Sequence, residues 1–114
     1  MGAHADIYAA ISPIVPTTHV AWPVGHTPEL PWAIYMVNGD PEMADNTNYY
    51  ETSRCAVELY MRNRDASIVG AIGEAIAANF GPYTSNEYWV ESERCLMVTF
   101  HFIHYPRNGG QDNG

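Results

Sequence analysis

The sequence predicts an α+β fold, a small mostly antiparallel β-sheet with a long helix at about 65–80 and a short N-terminal helix packed on one face. Three observations carry that expectation. Residues 53–62 alternate strictly, with Ser53, Cys55, Val57, Leu59 and Met61 against Arg54, Ala56, Glu58, Tyr60 and Arg62, the period-two pattern of a half-buried strand. After Asp65, the apolar residues Ile68, Ile72 and Ile76 recur every fourth position, as one face of a helix does. The chain then ends on two strand-like segments joined near Ser92 and Glu93.

The elements follow in order. Residues 5–11 read as a short amphipathic helix with Ile7, Tyr8 and Ile11 on one face, closed by Pro13 and Pro16. Residues 19–22 form a brief apolar strand, cut by Pro23 and Gly25. Residues 32–37 are apolar on both faces, as expected of a strand covered from both sides. Residues 38–51 form a long loop that holds acids and no base, with NGDPE as its turn signal.

Asp65 is the expected N-cap of the second helix, and Val69 and Ala75 widen its apolar stripe. Gly70, Gly73 and several Ala keep that helix thin, and Gly81-Pro82 stops it. Residues 88–91 rise and 94–104 return, with Leu96, Val98, Phe100 and Phe102 on a purely apolar face. The opposite face, Cys95, Met97, Thr99, His101 and Ile103, is only half polar. The expected core is Val57, Leu59, Ile68, Ile72, Ile76, Leu96, Val98, Phe100 and Phe102. Residues 1–105 read as a single domain and 106–114, PRNGGQDNG, as a flexible C-terminal tail.

Composition bounds the function. At 114 residues the chain is large enough for one core and too small for two. Thirteen acids face five bases, every base is Arg, and the net charge is −8, which argues against recognition of nucleic-acid phosphates. No apolar run reaches the roughly 18 residues of a membrane span, and the N-terminal stretch lacks the pattern of a secretory signal, so a cytosolic product is expected. Cys55 and Cys95 are expected to be buried free thiols, with a disulfide open if their strands are neighbours.

No catalytic or metal-binding pattern emerges. His101 and His104 lie three apart on a strand and point to opposite faces, and His4, His19 and His26 have no ligand-like spacing. Glu91 and Glu93 share a strand face but read as a solvated hairpin end. No phosphate-binding loop or nucleophile motif is present, and no cofactor is expected. The aromatics say more. They suit either cross-strand packing within the sheet or a second sheet face covered by a neighbouring copy, where Tyr and Arg are enriched. Two strands substantially apolar on both faces tilt the reading towards a partner.

Four blocks, LPWAIY at 30–35, ADNTNYYE at 44–51, VELYMRNRD at 57–65 and YWVESERCLMVTFHF at 88–102, together resemble the tail-terminator or tail-completion (head–tail joining) proteins of siphophages. The resemblance spans about residues 5–105 and rests on the order of blocks. It departs from the common Gram-positive phage pattern in reading RNRD where Lys is frequent. It implies a structural, non-enzymatic virion protein, assembled in the host cytoplasm, whose copies form a ring, typically a hexamer, that caps the tail tube at the neck. Tail-tube and head-completion or connector proteins would be its neighbours, and DNA would pass through the lumen without specific binding. Tyr49, Tyr50, Arg54, Tyr60, Arg62 and Arg64 are the expected subunit or tube contacts. A head-completion or other neck or tail-tube ring protein, and a small ligand-binding α+β module, remain as alternatives.

Overall fold

The computed structural model describes residues 2–38 and 52–105. The chain order is α1 (Ala3–Ile11), β1 (Thr17–His19), β2 (Trp32–Asn38), β3 (Ser53–Met61), α2 (Ala66–Asn79), β4 (Tyr83–Val90) and β5 (Cys95–His104). The strands form one sheet in the order β1-β2-β3-β5-β4. Only β1 and β2 run parallel, and every other pair is antiparallel. This is the α+β architecture that the periodicities predict.

Both helices cover one face. Ile7 and Ile11 of α1 and Ile72 and Ile76 of α2 are fully buried with Ala33, Tyr35, Val57, Leu59, Val98, Phe100 and Phe102 of the strands. The register explains why those strand residues meet: Tyr35 lies opposite Val57, and Val57 opposite Phe100, so one row crosses three strands. Ile68 and Leu96 sit half-buried at the rim of this core. Asp65 caps α2 as expected, its carboxylate accepting from the backbone N–H of Ser67 at 3.0 Å and of Ile68 at 3.3 Å.

Several expectations need correction. The first strand is Thr17–His19, not 19–22, because Val20 turns left-handed at φ 68° and ends the extended run. The expected 88–91 strand begins five residues earlier, at Tyr83. It is an edge strand, exposed along seven of its eight positions, so no burial alternation marks it in the sequence. Glu91 and Glu93 therefore lie in the β4–β5 turn and share no strand face. Tyr8 is 49% exposed and does not join Ile7 and Ile11 in the core. Cys55 and Cys95 are buried free thiols. Although their strands are neighbours, Cys55 faces Phe102 and Cys95 faces Val90, far out of register for a disulfide.

Candidate interaction surface

Opposite the helices, the sheet shows a second face built by the same register. Trp32 lies beside Tyr60, Tyr60 beside Met97 and Met97 beside Tyr88, a row that crosses β2, β3, β5 and β4. The next row is Ile34, Glu58, Thr99 and Asn86, and the next Met36, Ala56, His101 and Thr84. Among the described residues no helix packs on these rows. Trp32, Ile34, Met36, Tyr60 and Met97 are half-buried, so β2 is covered more deeply on the helix side, where Ala33 and Tyr35 are buried.

The aromatic end of this face is ordered by its own contacts. The rings of Trp32 and Tyr60 lie 4.7 Å apart at 36°, and Trp22 meets Trp32 edge-on at 6.0 Å. The Tyr60 hydroxyl donates to Glu58 Oε1 at 2.7 Å. Burial raises the Tyr60 phenol well above its usual range, and the Glu58 carboxylate that accepts its proton raises it further. Tyr60 is thus a neutral, fixed donor at neutral pH. The indole N–H of Trp22 is the one buried side-chain polar atom without a hydrogen-bond partner among the described residues.

A groove of about 690 Å³ opens at this end, between the 27–30 segment and the strands, lined by Leu30, Trp32, Tyr60, Arg62, Glu93 and Cys95 among others. Burial, and then the neighbouring Glu93 carboxylate, raises the Cys95 thiol. Buried at 2% exposure, it forms part of the groove wall.

Of the residues singled out from the sequence, Tyr60 and Arg62 come together in this groove. Arg54 shares β3 with Tyr60 but lies at its other end, beside a smaller recess formed with Tyr83, Thr84, His101 and Ile103. Arg64 turns away and grips Glu87 of β4 with two nitrogens, Nε at 3.1 Å and Nη2 at 2.9 Å. That bidentate contact raises the guanidinium and lowers the carboxylate from their ordinary values. Tyr49, Tyr50 and the rest of the 39–51 segment, like the 106–114 tail, lie outside the described residues.

Sequence reasoning missed one pair. His104 Nε2 lies 2.9 Å from Asp6 Oδ2, a contact between the end of β5 and α1. Its signal was available: His104 shares the parity of Phe100 and Phe102 and so falls on the core face, where an imidazole requires a partner. The pair ties the end of β5 to α1. No group of three or more His, Cys, Asp or Glu among them could hold a metal ion.

Compared with known proteins, the chain matches no protein-family model, and no curated protein matches it significantly.

Proposed function

We propose that the chain is a structural assembly subunit of the siphophage tail-terminator type, whose copies form a ring on the tail tube at the neck of the virion. The observation that carries this reading is the apolar row Trp32, Tyr60, Met97 and Tyr88 on the sheet face without helices. Soluble monomers rarely leave contiguous apolar surface of this kind unpartnered, and Trp, Tyr and Arg are the residues that dominate interface energetics. Arg62, at the rim of that row, is the cation placed to meet a neighbour's carboxylate, with Arg54 at the opposite end of the strand. The net charge of −8 suits a conduit through which DNA slides without adhering. The test is electron microscopy of siphophage tail tubes incubated with the protein. Rings seated at one tube end are expected, and bare ends at saturating protein would overturn the assignment.

The groove beside Trp32 and Tyr60 favours a second reading, a small ligand-binding module, since its volume falls in the range of small-molecule sites. A melting temperature that rises with an aromatic or cationic ligand, in a protein indifferent to tubes, would favour that reading.

A further inference from the structure

The two edges of the sheet are treated differently. The β1 edge is three residues long, preceded by Pro16 and ended by the left-handed Val20, features that keep another strand from pairing. The β4 edge is eight residues long, Tyr-Thr-Ser-Asn-Glu-Tyr-Trp-Val, with no Lys, no Pro and one charge. It has a neighbour on one side only, and all but Val90 are exposed among the described residues. Its outward N–H and C=O groups form an unguarded template for another strand.

We propose that this edge is a self-association surface, on which β4 of a second copy pairs antiparallel about a twofold axis through Asn86. The side-chain order selects both the occupant and the register. A twofold axis normal to the sheet keeps every side chain on its own face, so residues of the same parity must meet. With Asn86 on the axis, Tyr83 meets the partner's Trp89, Thr84 meets the partner's Tyr88, and Ser85 meets the partner's Glu87. The first two are an aromatic pair and an aromatic–β-branched pair, cross-strand combinations that favour antiparallel pairing. Tyr83, Tyr88 and Trp89 are 38%, 49% and 54% exposed, so each has surface left to bury. Moving the axis to Glu87 or to Ser85 removes the Tyr83–Trp89 contact, which the Asn86 axis alone makes. Pairing over 83–89 makes about six to eight main-chain hydrogen bonds and joins two five-stranded sheets into one. The inference goes beyond the virion reading, which draws on the open face of the sheet and not on its edge.

Sedimentation of the full chain across the micromolar range tests it, using variants at the exposed Asn86. The wild type is expected to associate to a dimer. Asn86→Lys and Asn86→Asp each place like charges opposite one another and should each weaken the dimer about fivefold. Mixing the two variants should restore it, which a misfolded variant could not do. Amide exchange in β4 should slow with concentration in the wild type alone. A wild type that stays monomeric throughout, or single variants that dimerise as the wild type does, would overturn the proposal.

Discussion

Asp6 and His104 are 98 positions apart in the chain, and their side chains meet at 2.9 Å, fastening the first helix to the last strand. The imidazole side chain is 8% exposed and the carboxylate 25%, so the contact is substantially withdrawn from water. Beside it Phe80 stacks on Phe102 at 4.9 Å, and the C-terminal end of α2 meets the same corner. Removing either partner leaves the other withdrawn from water without its hydrogen bond. Asp6→Ala and His104→Ala should each cost ~1–3 kcal/mol. The double variant should cost clearly less than the sum, because both changes remove one interaction. Urea unfolding of the four proteins measures this, and full additivity would show that the two residues act separately.

Gly70 and Gly73 lie one turn apart on α2 and should respond differently to alanine. A methyl at Gly70 meets open space and should stabilise the helix by up to ~1 kcal/mol. A methyl at Gly73 collides with the Tyr83 hydroxyl. Tyr83 stands at the sheet edge and can swing outward, but it then loses its edge-on contact with Phe100 at 5.5 Å. That contact is worth ~0.5–1.5 kcal/mol, which offsets the helix gain. Thermal unfolding should show Gly70→Ala more stable than Gly73→Ala, and the difference should vanish in a Tyr83→Ala background.

The buried indole N–H of Trp22 has no acceptor among the described residues. An unpaired buried donor costs ~1–3 kcal/mol, while the ring's edge-on contact with Trp32 is favourable. Trp22→Phe keeps an aromatic ring and deletes the donor. It should leave stability unchanged or raise it, whereas Trp22→Ala should lower it. A marked loss in Trp22→Phe on chemical denaturation would mean that the donor is satisfied.

Stability should fall at both ends of the pH range. Asp65 is lowered by the Ser67 hydroxyl and then the Ile68 N–H, and Glu87 by the Arg64 guanidinium. The unfolded chain therefore binds these protons more readily, so their contribution is complete above the ordinary carboxylate range and is lost as the pH falls below it. Cys55 behaves oppositely. Burial pushes its thiol from 9.0 up to about 11, so the unfolded chain ionises first and stability is lost as the pH rises through that interval. Melting curves against pH should show Glu87→Gln flattening the acid limb and Cys55→Ala the alkaline limb. High salt should weaken the exposed Arg64–Glu87 contribution as well.

The sequence carried most of the fold because its strongest signals come from elements with one buried face. Residues 53–61 alternate, and the pattern of burial in β3 follows that alternation position by position. The Ile68, Ile72 and Ile76 stripe of α2 and its Asp65 cap were equally legible, since both depend on residues close in sequence. The starts of β1 and β4 were not. Both lie at sheet edges, where pairing is made by the backbone and leaves little trace in side-chain polarity. The candidate surface was legible in part. Tyr60 and Arg62 follow from a residue count along one strand, but their union with Leu30 and Glu93 is a tertiary event. Arg64 looked equivalent to Arg62 until the long β4 brought Glu87 beside it.

The measurement that most directly tests the central claim is the mass of the protein mixed with siphophage tail tubes, compared for the wild type and Tyr60→Ala. Tyr60 is half-buried at the centre of the aromatic row, so its loss removes the surface on which assembly is argued to rest. The wild type is expected to form ring-sized, tube-bound species, and a folded Tyr60→Ala protein to remain unbound. A wild type indifferent to tubes, or a Tyr60→Ala protein that joins them equally well, would contradict it.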